Sequence, residues 1–155
     1  MDSAQSPVSV RPIEAEDAGH IVAMAHELAA AVDDPAPSLE ASDLWRDSTG
    51  PERWFDCLVA LAEGQPIGYA TLCRGYEAHT GKRRLWLGDL YVRPQARRLG
   101  AGRALMTAIA EHAAALGCDA IYWELWRQNA AGRAFYQKLG AVESGEIAVW
   151  RLPLT

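Results

Sequence analysis

The stretch Leu85-Trp86-Leu87-Gly88-Asp89-Leu90-Tyr91-Val92-Arg93-Pro94-Gln95-Ala96-Arg97-Arg98-Leu99-Gly100-Ala101-Gly102-Arg103-Ala104 organises the rest of the chain. An apolar strand stops at a proline, passes through a basic Arg97-x-x-Gly100-x-Gly102 turn and opens a helix. Glycine lets the backbone approach a ligand, and the first amides of a helix have no internal partner. The helix dipole is positive at that end, so the turn suits a phosphate anion. Arg93, Arg97, Arg98 and Arg103 crowd this segment in a chain whose formal net charge is -5. Cations set against the overall balance point to a specific polyanionic ligand.

Two known phosphate turns compete for the segment. A P-loop needs Gly-Lys-Ser/Thr, and Gly102 is followed by Arg103-Ala104, which excludes it. The dinucleotide fingerprint needs a third glycine where Leu105 stands. Glu124 lies near the expected acidic position, which weakens that reading without removing it. An ordinary strand-helix turn with surface arginines is the plain alternative.

A second block, Asn129-Ala130-Ala131-Gly132-Arg133-Ala134-Phe135-Tyr136-Gln137-Lys138-Leu139-Gly140-Ala141, follows after an amphipathic helix. In this order the two blocks resemble the acyl-CoA-binding motif and the C-terminal block of the GCN5-related N-acetyltransferases. The resemblance spans most of the chain from about Val10 and is sharpest from Leu85 to Ala141. It implies an α/β fold with a mixed, mostly antiparallel sheet of six to seven strands flanked by about four helices. It also implies acetyl-CoA as co-substrate, and homodimers are common in the family.

Bulk composition agrees with one soluble domain over residues 1–155: half the residues are hydrophobic and 23% are charged. The acidic balance argues against nucleic acid and anionic membranes as partners. No apolar run approaches the ~20 residues of a membrane span. The first residues carry no basic-then-apolar leader pattern, so a cytoplasmic location is expected. Cys57, Cys73 and Cys118 are widely spaced in strand-like text and read as buried free thiols. No ligand spacing indicates a metal.

Periodicity predicts strands at Val8–Ile13, Phe55–Leu61, Ile67–Cys73, Arg84–Val92 and Ala120–Trp126, with one or two more in Val142–Leu154. Helices are expected from the acidic start Glu14–Asp17 to Val32, from Ser38 toward Gly50, from Gly100 to Leu116, and from Asn129 to Leu139. Met1–Pro7 reads as a loose terminus, Gly75–Lys82 as a polar connection. Trp86, Trp123 and Trp126 are expected on strands, first of all as core or interface.

The resemblance assigns the chemistry. Leu90, Tyr91 and Val92 would carry the pantetheine arm through main-chain groups, with the Leu90 amide as oxyanion donor. Arg97, Arg98, Leu99, Gly100, Ala101, Gly102 and Arg103 would hold the pyrophosphate. Tyr136 is the implied general acid, and its bland alternative is an aromatic pair with Phe135. Asn129 is chiefly a helix cap, with a second role on the pantetheine arm. In the polyamine-acetylating branch a Glu-Asp pair stands where this chain has Gly88-Asp89. That leaves Asp89 and Glu124 as candidate amine-handling acids, with a water chain as the alternative base and a satisfied buried hydrogen-bonding group as the other reading of Asp89. His79 is the histidine best placed for a role. The implied reaction is direct attack by a primary amine of a small molecule in a ternary complex. Aminoglycoside or protein amines, or a non-catalytic acyl-CoA-binding module, are the alternatives. Asp33, Asp34, Glu40, Asp43, Asp47, Glu52 and Glu77 would give a cationic acceptor an acidic surround, the plain alternative being that they solvate a surface helix.

Overall fold

The computed structural model describes residues 8–146 and 148–154, so the expected loose terminus Met1–Pro7 lies outside them. The chain divides into two compact units, Met1–Trp123 and Glu124–Thr155.

The first unit is built on a sheet of order β1-β2-β3-β4-β5. Its strands are β1 (Ser9–Pro12), β2 (Asp56–Ala62), β3 (Gln65–Glu77), β4 (Lys82–Val92) and β5 (Cys118–Tyr122). The first four pair antiparallel, and β5 joins β4 in parallel. This is the expected mixed, mostly antiparallel arrangement, with five strands among the described residues. A parallel neighbour needs a crossover, and helix α3 (Ala101–Ala115) supplies it.

Both faces of the sheet are covered, which is why β2 reads as an unbroken apolar run. Leu58 and Ala60 point to one face with Leu72, Leu85 and Leu87, and the α3 stripe Ala101, Leu105, Ile109 and Ala113 closes over them. Cys57, Val59 and Leu61 point to the other, under Ala18, Ile21 and Met24 of α1 (Ala18–Ala31) and Leu44 of α2 (Ala41–Ser48). Leu72, Leu85, Leu105 and Ile109 are wholly removed from solvent, each stabilising the fold by ~1.5–3 kcal/mol. The turn between β2 and β3 is Glu63-Gly64, both at positive φ (52° and 75°). That is the two-residue hairpin geometry matching strand twist. At the entry to α1, buried Asp17 accepts from the Glu14 amide (2.8 Å) and from Arg11 (2.6 Å), tying β1 to the helix start.

Several element boundaries differ from the sequence expectation. The segment Gly75–Lys82 is half strand: Gly75, Tyr76 and Glu77 pair with Arg84, Arg83 and Lys82, and residues 78–81 make the turn. Polar side chains on an exposed strand end hid the alternation. Strand β5 begins at Cys118 and ends at Tyr122, short of Trp126, because Trp86↔Tyr122 is the last ladder pair with β4. Trp86, on β4, and Trp126, beyond the end of β5, are both exposed rather than buried in the core, the interface half of that expectation being left open. Of the cysteines only Cys57 is buried; Cys73 is exposed and Cys118 half-buried.

The second unit carries α4 (Ala130–Lys138). Asn129 caps it, its Oδ1 accepting from the Gly132 amide at 2.8 Å. Arg133 holds Glu143 at 2.8 Å. Among the described residues no strand follows α4. Val142, Val149, Trp150, Leu152 and Leu154 are exposed there, since an alternating pattern makes a strand only where a ladder partner exists. That segment accounts for the difference from six to seven strands. No helix among the described residues is long and apolar enough to cross a membrane.

Candidate functional site

The centre of β4 departs from its ladder. Ala70 pairs with Leu90 and Leu72 with Leu87, so Gly88 and Asp89 together face the single residue Thr71. Such a bulge bends the strand and re-aims its groups. Thr71 Oγ1 accepts from the Asp89 amide at 2.9 Å. A Cβ on Gly88 would lie 2.7 Å from the same oxygen, so the glycine makes room for the threonine.

The Asp89 carboxylate turns toward the α1 face, where the hydroxyl of Tyr69 donates to its Oδ2 at 3.2 Å. Tyr69 is 1% exposed, and its ring lies 6.5 Å from that of Tyr91. Burial pushes the Asp89 carboxyl above the ordinary aspartate value, and the Tyr69 bond pulls it down only in part. Burial, with the Asp89 charge next, pushes the Tyr69 hydroxyl far up. The buried Cys57 thiol is pushed up to about 12, by burial first and then by Asp17 and Asp89.

Past the bulge, Leu90 and Val92 pack toward α3 while Tyr91 packs toward α1. The chain then enters a 3-10 turn, Pro94–Leu99, and reaches Gly100 in the left-handed conformation (φ 79°) as the N-cap of α3. Ala104 bonds back to the Gly100 carbonyl at 3.0 Å. The amides of Ala101, Gly102 and Arg103 therefore stand at the helix mouth. The four arginines divide into two pairs. Arg93 grips Glu27 of α1 (3.0 Å) and the Pro66 carbonyl (3.3 Å), and Tyr91 donates to the same Glu27 at 3.1 Å. Arg97 folds back to the Val92 carbonyl at 3.0 Å. Both brace the turn. Arg98 and Arg103 are exposed and form no ion pair among the described residues.

Between β4 and β5 lies a polar-aromatic ladder that sequence reading missed. The Tyr122 ring sits 5.5 Å from Trp86, Arg84 stacks 4.7 Å above Tyr122, and Glu77 pairs with Arg84 at 2.6 Å. Glu77 also accepts from Thr80 (2.6 Å) and lies 3.6 Å from His79. Asp43 and Asp47 are likewise paired, both with Arg46. Three of the acids expected to surround an acceptor are thus bound to arginine.

In the second unit, Tyr136 lies on α4 with its ring 5.2 Å from Phe135, and burial raises its hydroxyl pKa. Glu124 does not stand on a strand beside β4, as expected; it is exposed, two residues beyond the end of β5. The described residues contain no cluster of three or more His, Cys, Asp or Glu able to hold a metal ion.

Comparison with known proteins identifies the family. The model of the Acetyltransferase (GNAT) family matches residues 21–141. Thialysine N-epsilon-acetyltransferase of Sus scrofa is 31% identical over 153 residues, covering 92% of this chain and 89% of the relative. The spermidine/spermine N(1)-acetyltransferase-like protein 1 of Homo sapiens is 30% identical over 151 residues; the match takes in 92% of this chain but 22% of that longer protein. Among solved structures, an aminoglycoside acetyltransferase from an uncultured soil metagenomic sample, in complex with sisomicin, superposes with a TM-score of 0.78. It is 16% identical, with 96% of this chain and 97% of that one covered, and so speaks for the fold. The chain belongs to the acetyltransferase (GNAT) family and is an acetyl-CoA-dependent N-acetyltransferase.

Proposed function

We propose that the chain transfers the acetyl group of acetyl-CoA to a primary amine of a small cationic molecule, by direct attack in a ternary complex. The carrying observation is Asp89: an acid held on the β4 bulge, beside backbone that has left its ladder. The relatives' names support the acceptor class, since they specify amine nitrogens of spermidine, spermine and thialysine.

Acetyl-CoA fits the turn as this chain builds it. The free amides of Ala101, Gly102 and Arg103 and the unpaired Arg98 and Arg103 take the pyrophosphate. Asn129 contributes to the pantetheine arm in addition to capping α4. The arm runs along Leu90–Val92 through main-chain bonds. Thr71 already occupies the Asp89 amide, so the oxyanion donor is the next one, Leu90.

In the reaction the amine nitrogen forms a bond to the thioester carbonyl carbon, and the C–S bond then breaks. The proton shed by the nitrogen passes to the Asp89 carboxylate or to water. The departing thiolate takes a proton from the hydroxyl of Tyr136, which its raised pKa keeps protonated near neutrality.

Coenzyme A release measured with a panel of diamines, polyamines, lysine analogues, aminoglycosides and peptides tests the reading. The highest kcat/KM is expected with a small cationic primary amine. A best acceptor among peptides or aminoglycosides would contradict the substrate class, and release with none would favour a binding module.

A further inference from the structure

Asp89 is gripped twice from one neighbouring strand. Tyr69 and Thr71 lie two residues apart on β3 and so point to the same face of the sheet. Thr71 Oγ1 accepts from the Asp89 amide at 2.9 Å, and the Tyr69 hydroxyl donates to the Asp89 carboxylate at 3.2 Å. The two contacts therefore hold the residue by its backbone and by its side chain. Tyr69 is almost wholly buried, 1% exposed, so its ring cannot swing away to be replaced by water. The Thr71 side chain is fixed in turn by the space that Gly88 leaves open.

We propose that Tyr69 and Thr71 are positioning residues for acetyl transfer, fixing the orientation and ionisation of Asp89 and the geometry of the bulge that carries it. The inference rests on the reading that Asp89 serves the amine. A buried carboxylate without a donor protonates readily, and a protonated acid neither attracts an ammonium group nor receives its proton. The Tyr69 hydroxyl supplies that donor, while Thr71 keeps the Asp89 amide from being an unsatisfied donor inside the bulge. The other ionisable groups on this face do not take over the task. The Cys57 thiol stays protonated to about 12, Asp17 is bound to Arg11, and Tyr91 bonds to Glu27 beside Arg93.

The experiment follows the carboxyl carbons of ¹³C-labelled aspartate by NMR across pH in the intact chain, with Asp89→Asn identifying the signal. Asp89 is expected to titrate above the exposed aspartates, and about one pH unit higher again in Tyr69→Phe, which keeps the ring and loses only the donor. The acidic limb of kcat/KM for the amine should move upward with it. Thr71→Val should leave the titration in place and lower kcat roughly tenfold, a loss of about 1.4 kcal/mol in transition-state stabilisation, with Thr71→Ser restoring it. An unmoved Asp89 signal in Tyr69→Phe, or a Thr71→Ser enzyme as slow as Thr71→Val, overturns the inference while leaving the acceptor reading intact. Full amine turnover in Asp89→Asn overturns that reading, and this inference with it.

Discussion

Gly88 and Thr71 are complementary across the β3–β4 ladder: a Cβ on Gly88 would lie 2.7 Å from Thr71 Oγ1. Real Cβ atoms do not approach another atom so closely, so a side chain at 88 has to displace the threonine. The polyamine-type pattern has glutamate at this position. Here a hydroxyl from the neighbouring strand occupies that space, and of the two acids of that pattern the chain has only Asp89.

Gly88→Ala should therefore act through Thr71. Displacing the hydroxyl releases the Asp89 amide and shifts the bulge, and misplacement of about 1 Å can cost ~10²-fold in rate. Steady-state kinetics should show kcat reduced by about that factor, with the KM for acetyl-CoA unaltered. An alanine variant as fast as the parent would mean that the bulge tolerates movement.

Gly100 holds φ 79° where the turn meets α3. Gly100→Val forces a branched side chain into the left-handed region, costing ~1–2 kcal/mol, and sets it beside the helix-mouth amides. Both the melting temperature and acetyl-CoA affinity by calorimetry should fall. Unchanged affinity would remove the pyrophosphate from this turn.

Tyr136→Phe should lower kcat by ~10²–10⁴, the range for losing a general acid, with little change in the KM for acetyl-CoA. The parent should keep its kcat above pH 10, because the raised pKa of Tyr136 preserves the proton beyond the ordinary tyrosine range. Equal turnover of the two proteins, with chemistry rate-limiting, would reduce Tyr136 to the partner of Phe135.

Away from the site, Asp56 joins β2 to α3. Its carboxylate meets Arg53, His112 Nε2 at 2.9 Å and Arg74 at 3.5 Å. Burial pushes its pKa up, but the bonds from Arg53 and His112 outweigh it, and the net value lies below the ordinary one. A depressed carboxylate contributes stability that is full above its unfolded pKa, about 3.9, and is lost as pH falls through the folded value. Asp56→Asn should cost about 1–3 kcal/mol in urea melts at pH 7, and the gap to the parent should narrow steadily below pH 4. A gap constant with pH would show that packing rather than charge is responsible.

The parts of this protein that were legible in its sequence are those whose physics is local. The Arg97-x-x-Gly100-x-Gly102 turn and the Asn129 cap each depend on a few adjacent residues. The Tyr69–Asp89 contact joins residues 20 apart, and only the β3–β4 register with its bulge brings them together. Apolar text continuing through Trp126 predicts a strand at Glu124, while the ladder with β4 stops at Tyr122. Charge counting sets Asp43, Asp47 and Glu77 around a cationic acceptor, whereas in the fold Arg46 and Arg84 are their partners. Nor does sequence separate Arg93 and Arg97, which brace the turn, from Arg98 and Arg103, which remain available to an anion.

Asp89→Asn, assayed for coenzyme A release against the best small amine, tests the account most directly. The substitution preserves the shape of the side chain and removes its charge and its capacity to take a proton. The kcat/KM for the amine should fall ~10²–10⁴-fold, while the KM for acetyl-CoA should stay as it was. An asparagine enzyme with the parent's kcat/KM for that amine would contradict it.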